Sequence, residues 1–219
     1  MVKKIVIFGT GGNCIDILDT IREINKVEES YECIGFLDDN KEIWGKDIHG
    51  VPVLGPLVMA KELVDTCYFV NGIGSQKNFY KKKEIIAKSQ VPLERYESII
   101  HPTASVSDMA KIGKGVVILQ NVTIASNVEI GNHVIILPNS VISHDDIIKD
   151  YTCITGGVCI SGGVIVEESC YLGTNCSVIE NIVIGKYSLI GMGSVVLDHV
   201  PENSVMVGCP AKLLRNTIN

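Results

Sequence analysis

From Val106 onward every sixth residue is aliphatic, from Ile112, Ile118 and Ile124 through Ile142, Ile148 and Ile154 to Ile184, Ile190 and Val196, 16 matches in succession. Two residues ahead of nearly every one stands something small or β-branched, such as Ala104, Ser140, Thr152, Cys170 or Ser194. Both positions must therefore face one interior. A period of six fits neither the helical 3.6 nor a meander of longer strands. It fits short parallel strands lying on the flat faces of a prism, with glycines such as Gly113, Gly131, Gly173, Gly185 and Gly191 where the chain turns a corner. Three hexapeptides close one coil of 18 residues, so the 91 residues of the repeat stack about five coils, spaced at roughly 4.8 Å. The expectation is a stiff β-solenoid with a dry aliphatic core.

The repeat leaves the first part of the 219-residue chain unexplained, and that length suits two domains. We place the boundary at 97/98, with a Rossmann-like unit over 1–97 and the solenoid with its tail over 98–219. The net charge of −6 and the lack of a basic patch beyond Lys81, Lys82 and Lys83, read as a solvated helix face, argue against a nucleic-acid partner. The opening MVKKIVIF meets glycine after a short apolar run, unlike a signal peptide, and no apolar stretch reaches the roughly 18 residues of a membrane span. A cytoplasmic protein without membrane insertion is expected. Eight cysteines without C-x-x-C spacing read as reduced, mostly buried thiols rather than a disulfide framework or zinc site.

Residues 1–97 read as half of a Rossmann unit: strand Lys4 to Phe8, helix Cys14 to Ile24, strand Tyr31 to Leu37, a third strand in TCYFVNGIGS, and a helix from Gln76 to Ser89. A dinucleotide fold needs about twice this length, and its third fingerprint glycine falls on Cys14. A mononucleotide site remains. Gly11, Gly12 and Asn13 at a helix N-terminus offer backbone N–H groups to a pyrophosphate. Asp38 and Asp39 offer acceptors for base or ribose, and Gly74 lets a ligand pass close to the backbone.

Within the repeat, SVISHDDIIKD departs from the register. His144 follows the inward Ile142 by two residues, near a corner, and Asp146 occupies a slot that elsewhere is small or apolar. A buried carboxylate needs a partner. His144 beside Asp145 and Asp146 reads as an oriented base. His133 is expected to be exposed and inert, with His101 and His199 at the ends of the column.

The motifs GTGGN, GFLDDN, NGIGS, IIHPTA, SHDD and VGCPAK, together with the repeat, cover nearly the whole chain. In them the sequence resembles hexapeptide-repeat acyltransferases with a small nucleotide-binding domain in front, above all the nucleotide-sugar N-acetyltransferases acting on UDP-4-amino-sugars and the related sialic acid O-acetyltransferases. The resemblance implies an α/β half-Rossmann domain followed by an all-β left-handed parallel β-helix, an exception to the right-handed crossover rule. It further implies a homotrimer with acetyl-CoA, and no metal, between neighbouring columns and a nucleotide-linked amino-sugar reaching across from the front domain. By the family pattern His144 is the general base and Asp145 its orienting partner, with Asp146 a second candidate for that role. Acetyl-CoA contacts fall on Cys153, Gly162, Thr174 and Met192, and Asp38 and Asp39 read uracil. Cys153 stands where some relatives have a histidine, and Met192 replaces a glycine. Rival readings are sugar O-acetylation, N-acetylation of a GDP- or dTDP-amino-sugar, a zinc hydratase using His133, His144 and His199, and a scaffold that binds a nucleotide sugar without turnover.

Overall fold

The computed structural model describes residues 2–218. Its N-terminal unit is built on strands β1 (Lys3–Phe8), β2 (Tyr31–Leu37), β3 (Asp47–Ile48), β4 (Val51–Gly55) and β5 (Tyr68–Asn71), ordered β3-β4-β2-β1-β5. The pairs β1–β2, β1–β5 and β2–β4 are parallel, and β3–β4 is an antiparallel hairpin. The apolar run of β1 fills the middle: Ile5, Val6, Ile7 and Phe8 are wholly buried, as a strand covered on both faces requires. Helix α1 (Gly12–Val27) buries Cys14, Ile17, Leu18 and Ile21 on one side. Cys14 replaces the glycine that usually lets such a helix approach its strand. Here the room comes from the opposite side, because a Cβ on Gly72 would lie 2.4 Å from Cys14 Sγ.

Two expectations shift in this unit. The sequence pattern does not signal the β3–β4 hairpin, and the helix expected over Gln76 to Ser89 is shorter. After the short α2 (Ala60–Leu63) and β5 comes a turn in which the Asn78 carboxamide accepts from Ser75 N–H, then a 3-10 turn at Phe79–Lys81, and only then α3 at Lys82–Ala87.

From Ser105–Val106 to Val195–Val196 the chain forms 16 two-residue strands, each ending on one of the sixth-position aliphatics. They lie on three parallel faces with neighbours 18 residues apart, as in Thr123 beside Val141 or Ile147 beside Ile165. Ile118, Ile136, Ile148, Ile154, Ile160, Leu172, Ile184 and Ile190 make one buried core. The corners share a left-handed backbone at every sixth residue, with positive φ at Asn121, Asn127, His133, Asn139, Asp145, Tyr151, Asn175 and Asn181. Asn and Asp tolerate that region best among residues with a Cβ.

The first face, carrying Ile99–Ile100, Val117–Ile118, Ile135–Ile136, Cys153–Ile154, Tyr171–Leu172 and Leu189–Ile190, differs from the others in its outward residues. Ile99, Val117 and Ile135 are buried there in one cluster with Ile5, Ile17 and Val70 of the front domain. On the other faces the outward positions mix polar residues such as Thr123, Lys111 and Glu129 with apolar ones such as Val141, Ile147 and Ile165, and these stay exposed or half-buried. The front domain docks on the apolar face. Among the described residues no helix is long and apolar enough to cross a membrane.

Candidate active site

The turn after β1 and the loops after β2 and β5 enclose a cavity of about 500 Å³. All six residues expected to hold the nucleotide part, Gly11, Gly12, Asn13, Asp38, Asp39 and Gly74, line it. Gly11 caps α1 without any side-chain bond, so the first N–H groups and the positive end of the helix dipole remain available to an anion. Thr10 Oγ1 donates to Asp38 Oδ2 at 2.8 Å, and Leu57 N–H donates to Asp39 Oδ1 at 3.1 Å. Each carboxylate thus keeps acceptor capacity for a ligand. Lys88, whose Nζ lies 3.4 Å from Asp39 Oδ2, adds a cation that the sequence pattern did not single out. Tyr171 of the β-helix closes the cavity from below.

Gly74 takes part in a way the sequence does not disclose. A Cβ there would lie 2.5 Å from Cys153 Sγ, so the domain contact demands the glycine, whatever ligand passes above it. Cys153 itself is buried between the domains, 3.6 Å from Lys82 Nζ. Its side chain is therefore closed to a ligand in this chain, in keeping with acetyl-CoA contacts expected mostly through backbone. Lys82, expected on a solvated face, is wholly buried and donates to the His133 carbonyl at 2.6 Å. Burial lowers its pKa. His133, expected to be exposed, is 3% exposed, edge-on to Tyr96 and stacked on Tyr151. Burial first, and then the Lys82 charge, lower its pKa to about 4.

His144 stands at the corner between the second and third faces with its side chain 67% exposed. Its Nδ1 lies 2.8 Å from Asp145 Oδ2, while Asn127 Nδ2 donates to Asp145 Oδ1 at 3.0 Å. The left-handed backbone at Asp145, φ 63°, sets the carboxylate above Asn127 of the coil before. The His144 bond, followed by the Asn127 bond, holds the Asp145 carboxyl below the usual range. An ionised carboxylate only accepts, so neutral His144 carries its proton on Nδ1 and leaves the Nε2 lone pair free. Gly162 is the floor beneath the ring: a Cβ there would come within 2.6 Å of His144 Cε1 and 2.8 Å of Nε2. The open recess of about 370 Å³ beside the ring is bordered by Ser161, Gly162, Gly163, Glu180 and Asn181. Asp146 makes no bond to His144. It is wholly buried, with Oδ1 accepting from Val164 N–H at 2.8 Å.

Thr174 and Met192 border a groove of about 840 Å³ on the other side of the column, together with Phe79, Tyr80 and Tyr171. Within one chain the four residues expected to touch acetyl-CoA are therefore dispersed: Gly162 beside His144, Thr174 and Met192 in the groove, and Cys153 under the domain contact. The nucleotide cavity and the His144 recess share no residue. His199 accepts from Val183 N–H through Nδ1, and His133, His144 and His199 do not converge.

Residues 4–88 match the model of the PglD N-terminal domain, and residues 109–144 match the bacterial transferase hexapeptide, six repeats. A histidine-to-asparagine mutant of perosamine N-acetyltransferase from Caulobacter crescentus, solved with CoA and GDP-perosamine, superposes with a TM-score of 0.84 at 25% identity, covering 99% of both chains. The acetyltransferase domain of PglB from Neisseria gonorrhoeae FA1090, in complex with acetyl coenzyme A, shares the fold with a TM-score of 0.83 at 22% identity over 98% of this chain and 100% of that one. A 2,3,4,5-tetrahydropyridine-2,6-dicarboxylate N-acetyltransferase of Clostridium perfringens is 41% identical over 44 residues, 20% of this chain and 19% of that protein. The curated likeness thus spans about a fifth of either molecule, while the fold likeness runs end to end. Both domain models are matched in order and the whole architecture is reproduced, so the chain joins a PglD N-terminal domain to bacterial transferase hexapeptide repeats in the arrangement of the Caulobacter enzyme.

Proposed function

We propose that the protein transfers acetyl from acetyl-CoA to the amino group of a nucleotide-linked sugar, a UDP-4-amino-sugar being the expected acceptor, with His144 as general base. The observation that carries this reading is the His144–Asp145 pair, 2.8 Å apart on an exposed corner with Nε2 free. A separate cavity with a helix N-terminus and two aspartates offers the nucleotide a site.

The chemistry follows from those groups. A neutral amine attacks the thioester carbonyl, and Nε2 takes its proton as the C–N bond forms. Asp145 stabilises the resulting imidazolium and fixes the ring's tautomer. The tetrahedral intermediate collapses by breaking the C–S bond, and the CoA thiolate leaves and recovers a proton. The thioester is already activated, so no acyl-enzyme is required. Main chain at Gly162, Thr174 and Met192 would hold the pantetheine arm. Cys153 enters only through the wall it supports under Gly74.

In one chain the nucleotide cavity opens beside the first face and His144 stands at the corner between the other two. We therefore assign the working site to neighbouring copies in a homotrimer, one supplying His144 and the other the nucleotide cavity. The perosamine enzyme's complex with GDP-perosamine makes guanosine the alternative carrier. Incubating the protein with acetyl-CoA and UDP-, GDP- and dTDP-linked 4-amino-sugars, with free sialic acid in parallel, tests the reading by mass spectrometry. An amide-linked acetyl group on a nucleotide-linked amine supports it, and acetylation of free sialic acid alone contradicts it.

A further inference from the structure

Three inward hydroxyls of the β-helix share a hydrogen-bonding habit. Ser98 Oγ accepts from Val116 N–H at 3.1 Å and donates to the Gly113 carbonyl at 3.0 Å. Thr152 Oγ1 accepts from Cys170 N–H at 3.3 Å and donates to the Glu167 carbonyl at 3.1 Å. Ser188 Oγ does the same with Ser204 N–H and the Pro201 carbonyl. Each hydroxyl clamps both ends of the turn in the next coil, accepting at one end and donating at the other.

Asp146 sits in an equivalent slot with half of that pattern complete. Its Oδ1 accepts from Val164 N–H, 18 residues on, as Ser98 and Thr152 accept from the residues 18 beyond them. The carbonyl that Ser98 and Thr152 reach lies 15 residues on, and for Asp146 that is Ser161. Its Oδ2 is buried without a partner. A carboxylate has no proton to give a carbonyl, whereas a carboxylic acid has one and reproduces what serine and threonine do elsewhere.

We propose that Asp146 is a positioning residue held as the un-ionised acid, with Oδ1 accepting from Val164 N–H and its hydroxyl donating to the Ser161 carbonyl, so that it pins the Ser161–Val164 turn under the His144 ring. That turn contains Gly162 and Gly163, and no Cβ of its own fixes the floor on which the imidazole rests. The slots above and below in the same column are Val128 and Val164, both wholly buried, so no cation offsets a charge at this position. The titratable groups that bear on Asp146 are His144 and Asp145 of its own turn, and Val164 and Ser143 add backbone N–H bonds. Burial outweighs these and raises the acid to about 7. Above that pH the hydroxyl is lost, a carboxylate oxygen faces a carbonyl, and the floor under His144 loosens. The effect on turnover rests on His144 being the base; the protonation of Asp146 does not.

Two readouts separate those claims. Infrared difference spectra of wild type against Asp146→Asn should show a protonated-carboxyl band at pH 6 that fades as the pH passes about 7. In kcat against pH, Asp146→Thr, which restores the hydroxyl clamp, should stay active and lack the alkaline fall of wild type. Asp146→Val, the residue the column itself uses, should lose kcat by ~10-fold or more with KM for the nucleotide sugar unchanged, as displaced catalytic groups do. No carboxyl band at pH 6, or matching pH profiles for wild type and the threonine variant, overturns the proposal. Retained turnover in His144→Ala with the band intact would instead overturn the base assignment alone.

Discussion

At the scale of single residues, the His144 ring is positioned from two sides, by the Asp145 carboxylate at Nδ1 and by the missing side chain of Gly162 beneath it. Gly162→Ala should therefore lift the ring from its floor and reduce kcat by ~10- to 100-fold with little change in nucleotide affinity, measured by steady-state kinetics and calorimetry. A second prediction concerns His133. Its pKa falls from 6.5 in the unfolded chain to about 4 in the fold, so it adds stability that is complete above pH 6.5 and lost as the pH drops through 4. Thermal melts of wild type and His133→Gln should diverge at neutral pH and converge toward pH 4. The His144–Asp145 pair was legible in the sequence because SHDD breaks the register of an otherwise regular repeat. The burial of His133 and Lys82 was not, since a histidine or lysine at one position of a solenoid says nothing about which face another domain covers.

Secondary elements carry the domain contact. Helix α3 begins with Lys82, whose buried amine reaches the His133 carbonyl on the first face. Lys82→Ala leaves that carbonyl unpaired and opens a void, and should cost about 2–4 kcal/mol in chemical denaturation. Lys82→Met also leaves the carbonyl unpaired but fills the void and removes a buried charge, and should cost less than the alanine variant. The 16 strands were legible to the residue, because a period of six admits one way of burying both inward positions. The docking face was not written in the repeat, because apolar outward residues occur on all three faces, Ile99, Val117 and Ile135 under the front domain and Val141, Ile147 and Ile165 elsewhere. The small β3–β4 hairpin and the short α3 escaped notice, since elements of two to six residues carry too little periodicity to rise above turn chemistry.

On the scale of the whole molecule, the nucleotide cavity and the His144 recess share no residue in one chain. A site shared between copies predicts complementation. Mixing His144→Ala with Asp38→Ala/Asp39→Ala, each inactive alone, under conditions that exchange subunits should restore part of the activity, because some interfaces then combine an intact imidazole with an intact cavity. No recovery despite verified hybrid formation would place the whole site within one subunit.

The most direct test sets turnover beside binding in a single variant. His144→Ala should bind the nucleotide amino-sugar with an affinity within about 2-fold of wild type by calorimetry while acetyl transfer falls by ~10²- to 10⁴-fold, the ordinary worth of a general base. Transfer at the wild-type rate, or an equal collapse of binding and transfer, would contradict the role of His144 as the base that activates the amine.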